Sequence, residues 1–242
     1  MNATPIDVIA EALASAWRTG TPYRANFAQP PSESEAYAIQ DRVAAALRWF
    51  ADDRPHAWKA GGRDVLTAAP LPRVLQSGAT WSRIGEDIIV VEAEVSLRLA
   101  RTPIAPEDVA SCLGRMCASI EIVGTRMDDG INAPAPWKLA DQQLHACSIV
   151  GAEIPYAPRD WQRQRGRLVV NGVVRDFEGT HPNGDPAFPL SWLARHAEAR
   201  GRTLEAGDLV MTGAWVIAEA KPGDLVEAQF DGIGTCSVRV AA

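Results

Sequence analysis

The chain is poor in cysteine. Four occur in 242 residues (Cys112, Cys117, Cys147 and Cys236), and no two form a C-x-x-C pair. That spacing offers no disulfide framework, and reduced, mostly buried thiols are expected. No run of about 18 apolar residues occurs, which excludes a membrane-spanning helix. The opening MNATPIDVIAEALASAWRTG carries Asp7 and Glu11 and lacks a basic lead before an apolar stretch, so it does not read as an export signal. A cytoplasmic enzyme or binding protein is the expectation. An excess of basic charge is missing too. With 24 Lys and Arg against 30 Asp and Glu, the net charge is −6, which argues against nucleic acid or an anionic membrane as partner. Internal repeats and low-complexity segments are also absent.

What is present is an ordinary globular composition, 47% apolar and 22% charged. The length suits one large domain, or a main domain with a small helical piece. Thr4 and Pro5 suit the cap and first position of a helix, and Ile6, Ile9, Leu13 and Trp17 share one face of it. A capping box, Ser32 to Glu35, opens a second helix with the stripe Ala36, Ile39, Val43, Leu47 and Phe50. From about Trp58 the texture becomes β-rich. Ile88 to Leu99 alternates as a strand, with Val91, Ala93, Val95, Leu97 and Leu99 on one side and Glu92, Glu94, Ser96 and Arg98 on the other. Pro106 suits the start of a helix with stripe Val109, Cys112, Leu113 and Met116, followed by a short strand from Ser119 to Val123. Asn171-Gly172 between apolar runs signals a hairpin. A helix over Leu190 to Ala199 stops near Gly201. Strands are expected at Leu209 to Thr212, Leu225 to Phe230 and Thr235 to Val240. The class is α+β, with an N-terminal helical lobe at 1–55 and a β-rich body at 56–242.

Glu92 and Glu94 lie two apart on a strand, so both carboxylates leave one face about 6 to 7 Å apart. Glu121, beyond the expected crossover helix, is placed to supply a third. Three carboxylates form an all-oxygen set suited to Mg²⁺ or Mn²⁺, with positions left for water and substrate. Spacing alone favours a plainer reading, the solvated face of a half-exposed strand. Glu121 tells against it, because it interrupts the apolar run Ile120, Ile122, Val123, where an unpaired carboxylate is costly. Lone histidines such as His56 and His181 are more often structural or exposed, and receive no role.

These residues sit in segments that resemble a known family. VVEAEVSLRL followed by SIEIVGTR, with EAYAIQ (35–40), AWKAGG (57–62), WKLADQ (137–142), Asn171-Gly172, LEAGDLVMTGAW (204–215) and GDLVEAQFDGIGTCSV, is similar in order and content to the fumarylacetoacetate hydrolase superfamily. The likeness is to its branch of 2-keto-4-pentenoate hydratases and 2-oxo-hexenedioate decarboxylases. It implies a mixed β-roll around a divalent metal, with Glu92, Glu94 and Glu121 at its three ligand positions. Lys59 matches the lysine that faces the active site, where it pairs a substrate carboxylate or shuttles a proton. Lys138 and Asp141 match a pocket-lining segment, and Thr212-Gly213 a strand end that binds substrate oxygens. The chain departs from the pattern at Gly61-Gly62-Arg63-Asp64, and at Asp141-Gln142 with His145 further on. Arg63 there is either a reader of a second substrate carboxylate or a solvated side chain. The resemblance implies a metal-dependent hydratase that adds water to a 2-hydroxy-2,4-dienoate through a metal-chelated enolate. The alternatives are 2-oxo-enedioate decarboxylation, acylpyruvate hydrolysis, or a non-catalytic scaffold paralogue. It further implies a homo-oligomer acting on a small 2-oxo or 2-hydroxy-dienoic acid in aromatic compound catabolism.

Overall fold

The computed structural model describes residues 4–52, 54–82 and 89–242. Its α-helices are α1 (Pro5–Thr19), α2 (Glu33–Leu47), α3 (Ala135–Ala140) and α4 (Leu190–Ala199). The strands are β1 (Ala57–Gly61), β2 (Thr67–Pro70), β3 (Val74–Gln76), β4 (Ala79–Trp81), β5 (Ile89–Leu99), β6 (Leu113–Val123) and β7 (His145–Val150), then β8 (Ile154–Pro155), β9 (Arg165–Val170), β10 (Val173–Glu178), β11 (Leu209–Met211), β12 (Val216–Ala220), β13 (Leu225–Phe230) and β14 (Gly234–Val240). None of these helices is long and apolar enough to cross a membrane.

The local signals act as the chemistry dictates. Both N-terminal helices open on reciprocal capping boxes, Thr4 with Asp7 and Ser32 with Glu35, which satisfy otherwise orphaned N–H groups. Asn171 and Gly172 both adopt positive φ, 47° and 86°, the geometry a two-residue turn between right-twisted strands requires. The strand expected from Ile88 begins, within the described residues, at Ile89; Ile88 itself lies outside them.

The helix expected from Pro106 is a short 3-10 segment, Pro106–Cys112, and β6 starts at once with Leu113. Leu113 and Met116 therefore lie on a strand. The alternation of Met116, Ala118, Ile120 and Ile122 matches the pleat of β5, which they face as cross-strand partners of Leu97, Val95, Ala93 and Val91. Met, Ala and Cys carry little strand propensity of their own. Pairing with the long β5 decides the outcome.

β5 and β6 form the antiparallel centre of a nine-stranded sheet ordered β2-β1-β11-β5-β6-β7-β3, with β12 also on β5 and β8 on β6. Their apolar faces share one core with Leu168, Val226, Ala228, Phe230 and Val238 of the second sheet, ordered β10-β9-β13-β14-β4. Every polar residue of β5 thus points away from that core. A second apolar core forms where Leu13, Ile39 and Val43 of α1 and α2 meet Met127, Trp137 and Leu139.

Where α2 meets α4, the His196 ring on α4 lies 4.4 Å from the Tyr37 ring and stacks on Trp192. Burial, then Arg200, lower its pKa to about 4. The folded value lies below the unfolded one of about 6.5. Its contribution to stability is therefore complete above pH ~6.5 and is lost as pH falls through about 4. Denaturant titrations at pH 7.5 and 4.5 should show His196→Gln losing less stability on acidification than the parent. An identical loss in both would show that His196 is not a source of the acid sensitivity.

Candidate metal centre

Strand register builds the site. Glu92 on β5 is the direct partner of Glu121 on β6, and Glu94 faces Ser119 one step along. All three carboxylates leave the face opposite the core, and their oxygens come within 4.8 Å of one another. Glu94 and Glu121 are wholly buried, Glu92 partly so. On the other edge of β5, β11 pairs up to Ser96 and β12 resumes at Ala93. The gap between them holds Thr212 and Gly213 beside Glu94. Gly213 donates its N–H to Glu94 Oε2 at 3.0 Å. At its φ of 116° a side chain is strained, and a Cβ would crowd Pro182 at 3.2 Å.

Lys59 on β1 reaches across to Glu121 Oε1 at 2.8 Å and to the Gln143 carbonyl at 3.2 Å. His145 Nδ1 lies 3.0 Å from the same Oε1. Burial pushes the Glu92 and Glu94 carboxyls above their usual range, and the charge of Glu121 adds to it. Burial acts on Glu121 in the same sense but loses to Lys59 and His145, which hold its carboxyl below the usual range. For Lys59, burial disfavours the ammonium, yet the three carboxylates outweigh it and raise its pKa. Two buried oxygens, Glu94 Oε1 and Glu121 Oε2, have no hydrogen-bond partner. Orphan carboxylate oxygens in an all-oxygen cluster fit a hard divalent cation, whose charge would offset the repulsion among them.

The cluster opens into a cavity of about 520 Å³. Lys59, Glu92, Glu94, Lys138 and Gly213 line it, with Val65, Pro136, Leu139, Leu144 and Pro182 as apolar walls. Of the expected substrate contacts, Lys138 and Gly213 are on this wall. Arg63 is exposed outside it, between Gly62 and Val65, which do line it. The structure moves Asp141 from the substrate wall to the framework. It is 1% exposed and absent from the cavity wall, and both its oxygens are engaged by Thr125 Oγ1, the Arg126 backbone and Arg126 Nε. Thr212 is likewise spent: its buried hydroxyl donates to the Val95 carbonyl.

Sequence reasoning missed Gln143 and the role of His145. Gln142, Gln143 and Leu144 all have positive φ (54°, 54° and 61°), rare for residues with side chains and costing on the order of 1 to 3 kcal/mol each. No glycine marks that turn, so the pattern carried no signal of it. Gln143 Nε2 also donates to Thr67 Oγ1, which pins the turn to β2.

The family model described as fumarylacetoacetate (FAA) hydrolase C-terminal matches residues 51–241. A 2-keto-4-pentenoate hydratase of Paraburkholderia xenovorans (strain LB400) is 28% identical over 158 residues, covering 60% of this chain and 56% of that protein. The chain thus matches little more than half the length of such a relative. A 4-oxalocrotonate decarboxylase of a Pseudomonas species is 24% identical over 215 residues, covering 75% of this chain and 80% of that one. Among solved structures, the 4-oxalocrotonate decarboxylase from Pseudomonas putida G7, complexed with magnesium and adipate, superposes with a TM-score of 0.84 over 99% of both chains at 18% identity. That likeness is one of fold.

Asp141 yields a direct check. Removing one partner of a buried ion pair typically costs about 3 to 5 kcal/mol. Asp141→Ala should lower the urea stability of the protein by that order. Unchanged stability with weakened ligand binding would return Asp141 to the cavity wall.

Proposed function

The chain belongs to the fumarylacetoacetate hydrolase family, and on that premise we propose that it is a divalent-metal-dependent hydratase acting on a 2-hydroxy-2,4-dienoate. The observation that carries the reading is the convergence of Glu92, Glu94 and Glu121, with Lys59, beside a largely apolar cavity that Lys138 also lines. Glu92, Glu94 and Glu121 would hold Mg²⁺ or Mn²⁺; the structurally similar decarboxylase is complexed with magnesium. When bound, the ion supplies a positive charge that polarises the oxygens of a 2-oxo acid.

The chain's own groups do the rest. Gly213 N–H fixes Glu94 through its Oε2. The apolar walls receive the hydrocarbon part of the substrate and exclude bulk water, which strengthens each charge interaction inside. Lys59 enters as an ammonium, held so by the carboxylates; its Nζ gives a proton to C5 of the dienol and takes up the one that the 2-hydroxyl releases, so ketonisation returns the ammonium. Water then adds to the conjugated ketone. Lys138 meets the substrate from the α3 side.

A second reading, decarboxylation of a 2-oxo-enedioate, is favoured by the decarboxylase relative matched over 80% of its own length. Assay of both acids with Mg²⁺ or Mn²⁺, read by ultraviolet absorbance and carbon dioxide release, separates the two. Turnover of neither acid would sink both.

Two outcomes are expected of the centre itself. Because Glu92 and Glu94 titrate above the usual carboxylate range, uptake of Mn²⁺ near neutral pH should release protons, and affinity should rise with pH. Calorimetry in buffers of different ionisation enthalpy reads that release; an enthalpy independent of buffer contradicts it. Lys59→Met should still take up Mn²⁺ and cut turnover by about two to four orders of magnitude. Full turnover in Lys59→Arg would exclude proton transfer by this residue, since a guanidinium does not release a proton at ordinary pH.

A further inference from the structure

The β6–β7 register slips by one residue beside the carboxylates. Ile122 pairs with Cys147, but Val123 pairs with His145, so Ala146 is the extra residue of a bulge. Side chains alternate along a strand. A regular register would send His145 to the side of Cys147, which lies in the main apolar core. The extra residue turns it instead onto the face of Glu121. There the imidazole is fully buried, with Nδ1 3.0 Å from Glu121 Oε1. The acceptor is a carboxylate oxygen, so Nδ1 carries the proton. The residue is also fixed from behind: Arg126 Nη1 donates to the His145 carbonyl at 2.7 Å, and Arg126 is tied to Asp141. Glu121 Oε1 thus receives two donors, Lys59 and His145, while Oε2 receives none.

We propose that His145 is a positioning residue that clamps Oε1 of Glu121, so that Oε2 alone is presented to the divalent ion, and that it keeps the clamp when Lys59 turns to the substrate. This rests on the metal-site reading above. Lys59 has a long flexible side chain and a second task at the substrate. If it were the sole holder of Glu121, each proton delivery would release the carboxylate beside Glu92, its direct cross-strand neighbour. His145 has a short side chain, no exposure and an anchored backbone, so it stays.

The test is Mn²⁺ titration calorimetry on the whole metal-free protein, with urea unfolding of each variant alongside. His145→Leu removes the donor and keeps comparable bulk; it should weaken Mn²⁺ binding about 10- to 100-fold, the usual effect of losing a hydrogen bond to a ligand. His145→Asn places an amide N–H near the position of Nδ1 and should recover most of that loss. Should His145→Leu fail to fold, His145→Ala serves as the donor-free member of the comparison. Equal weakening with and without the donor would assign His145 to packing and overturn the proposal, as would parental affinity in both variants. A parent that takes up no Mn²⁺ defeats the metal-site reading itself, a result distinct from either.

Discussion

Three carboxylates held within 4.8 Å of one another in a buried site are the constraint on which the rest of this structure turns. Two like charges about 5 Å apart repel by about 3 kcal/mol at an effective dielectric constant near 20. A domain is typically stable by only about 5 to 15 kcal/mol in total. Such a cluster survives only if its neighbours offset it, and they do so unequally. Glu121 draws the ammonium of Lys59 and the ring N–H of His145, Glu94 draws one backbone N–H, and Glu92 is left the most open to the cavity. The inequality explains why Glu121 stays ionised while its two neighbours are pushed toward protonation.

The sheet makes the arrangement rigid. One face of β5 and β6 is sealed by apolar packing on the second sheet, and alternation then delivers every polar side chain of those strands to the other face. Slipping either strand by one residue would bury the carboxylates in the core. Hydrophobic pattern and chemical pattern are therefore one pattern seen from two sides. The remaining walls come from α3, the loop after β1 and the Pro182 segment, which pack against the sheet without belonging to it.

Much of this was legible in the residues. Capping boxes, an Asn-Gly turn and the alternation of β5 are local signals, and the structure obeys them. The spacing of Glu92 and Glu94 also fixes their common face. The first half of β6 was not legible, because Leu113 to Cys117 suits a helical stripe as well as a pleat, and only its partner strand decides. Asp141 and Thr212 carry functional groups suited to ligands, yet Arg126 and the Val95 carbonyl claim them first, and neither contact is visible in sequence. His145 was hidden for another reason: its direction depends on a register slip.

That slip makes the site sensitive to chain length as well as to composition. Ala146 contributes only a methyl group, and what matters about it is that the ladder steps over it. Insert a second residue beside it, with the bulge still absorbing only one, and parity along β7 reverses at that point, carrying the imidazole from the acid cluster into the oil of the core although every named side chain of the site survives. A comparison scored by residue identity would pass such a chain as intact. Counting residues between Val123 and Ser148 would catch it.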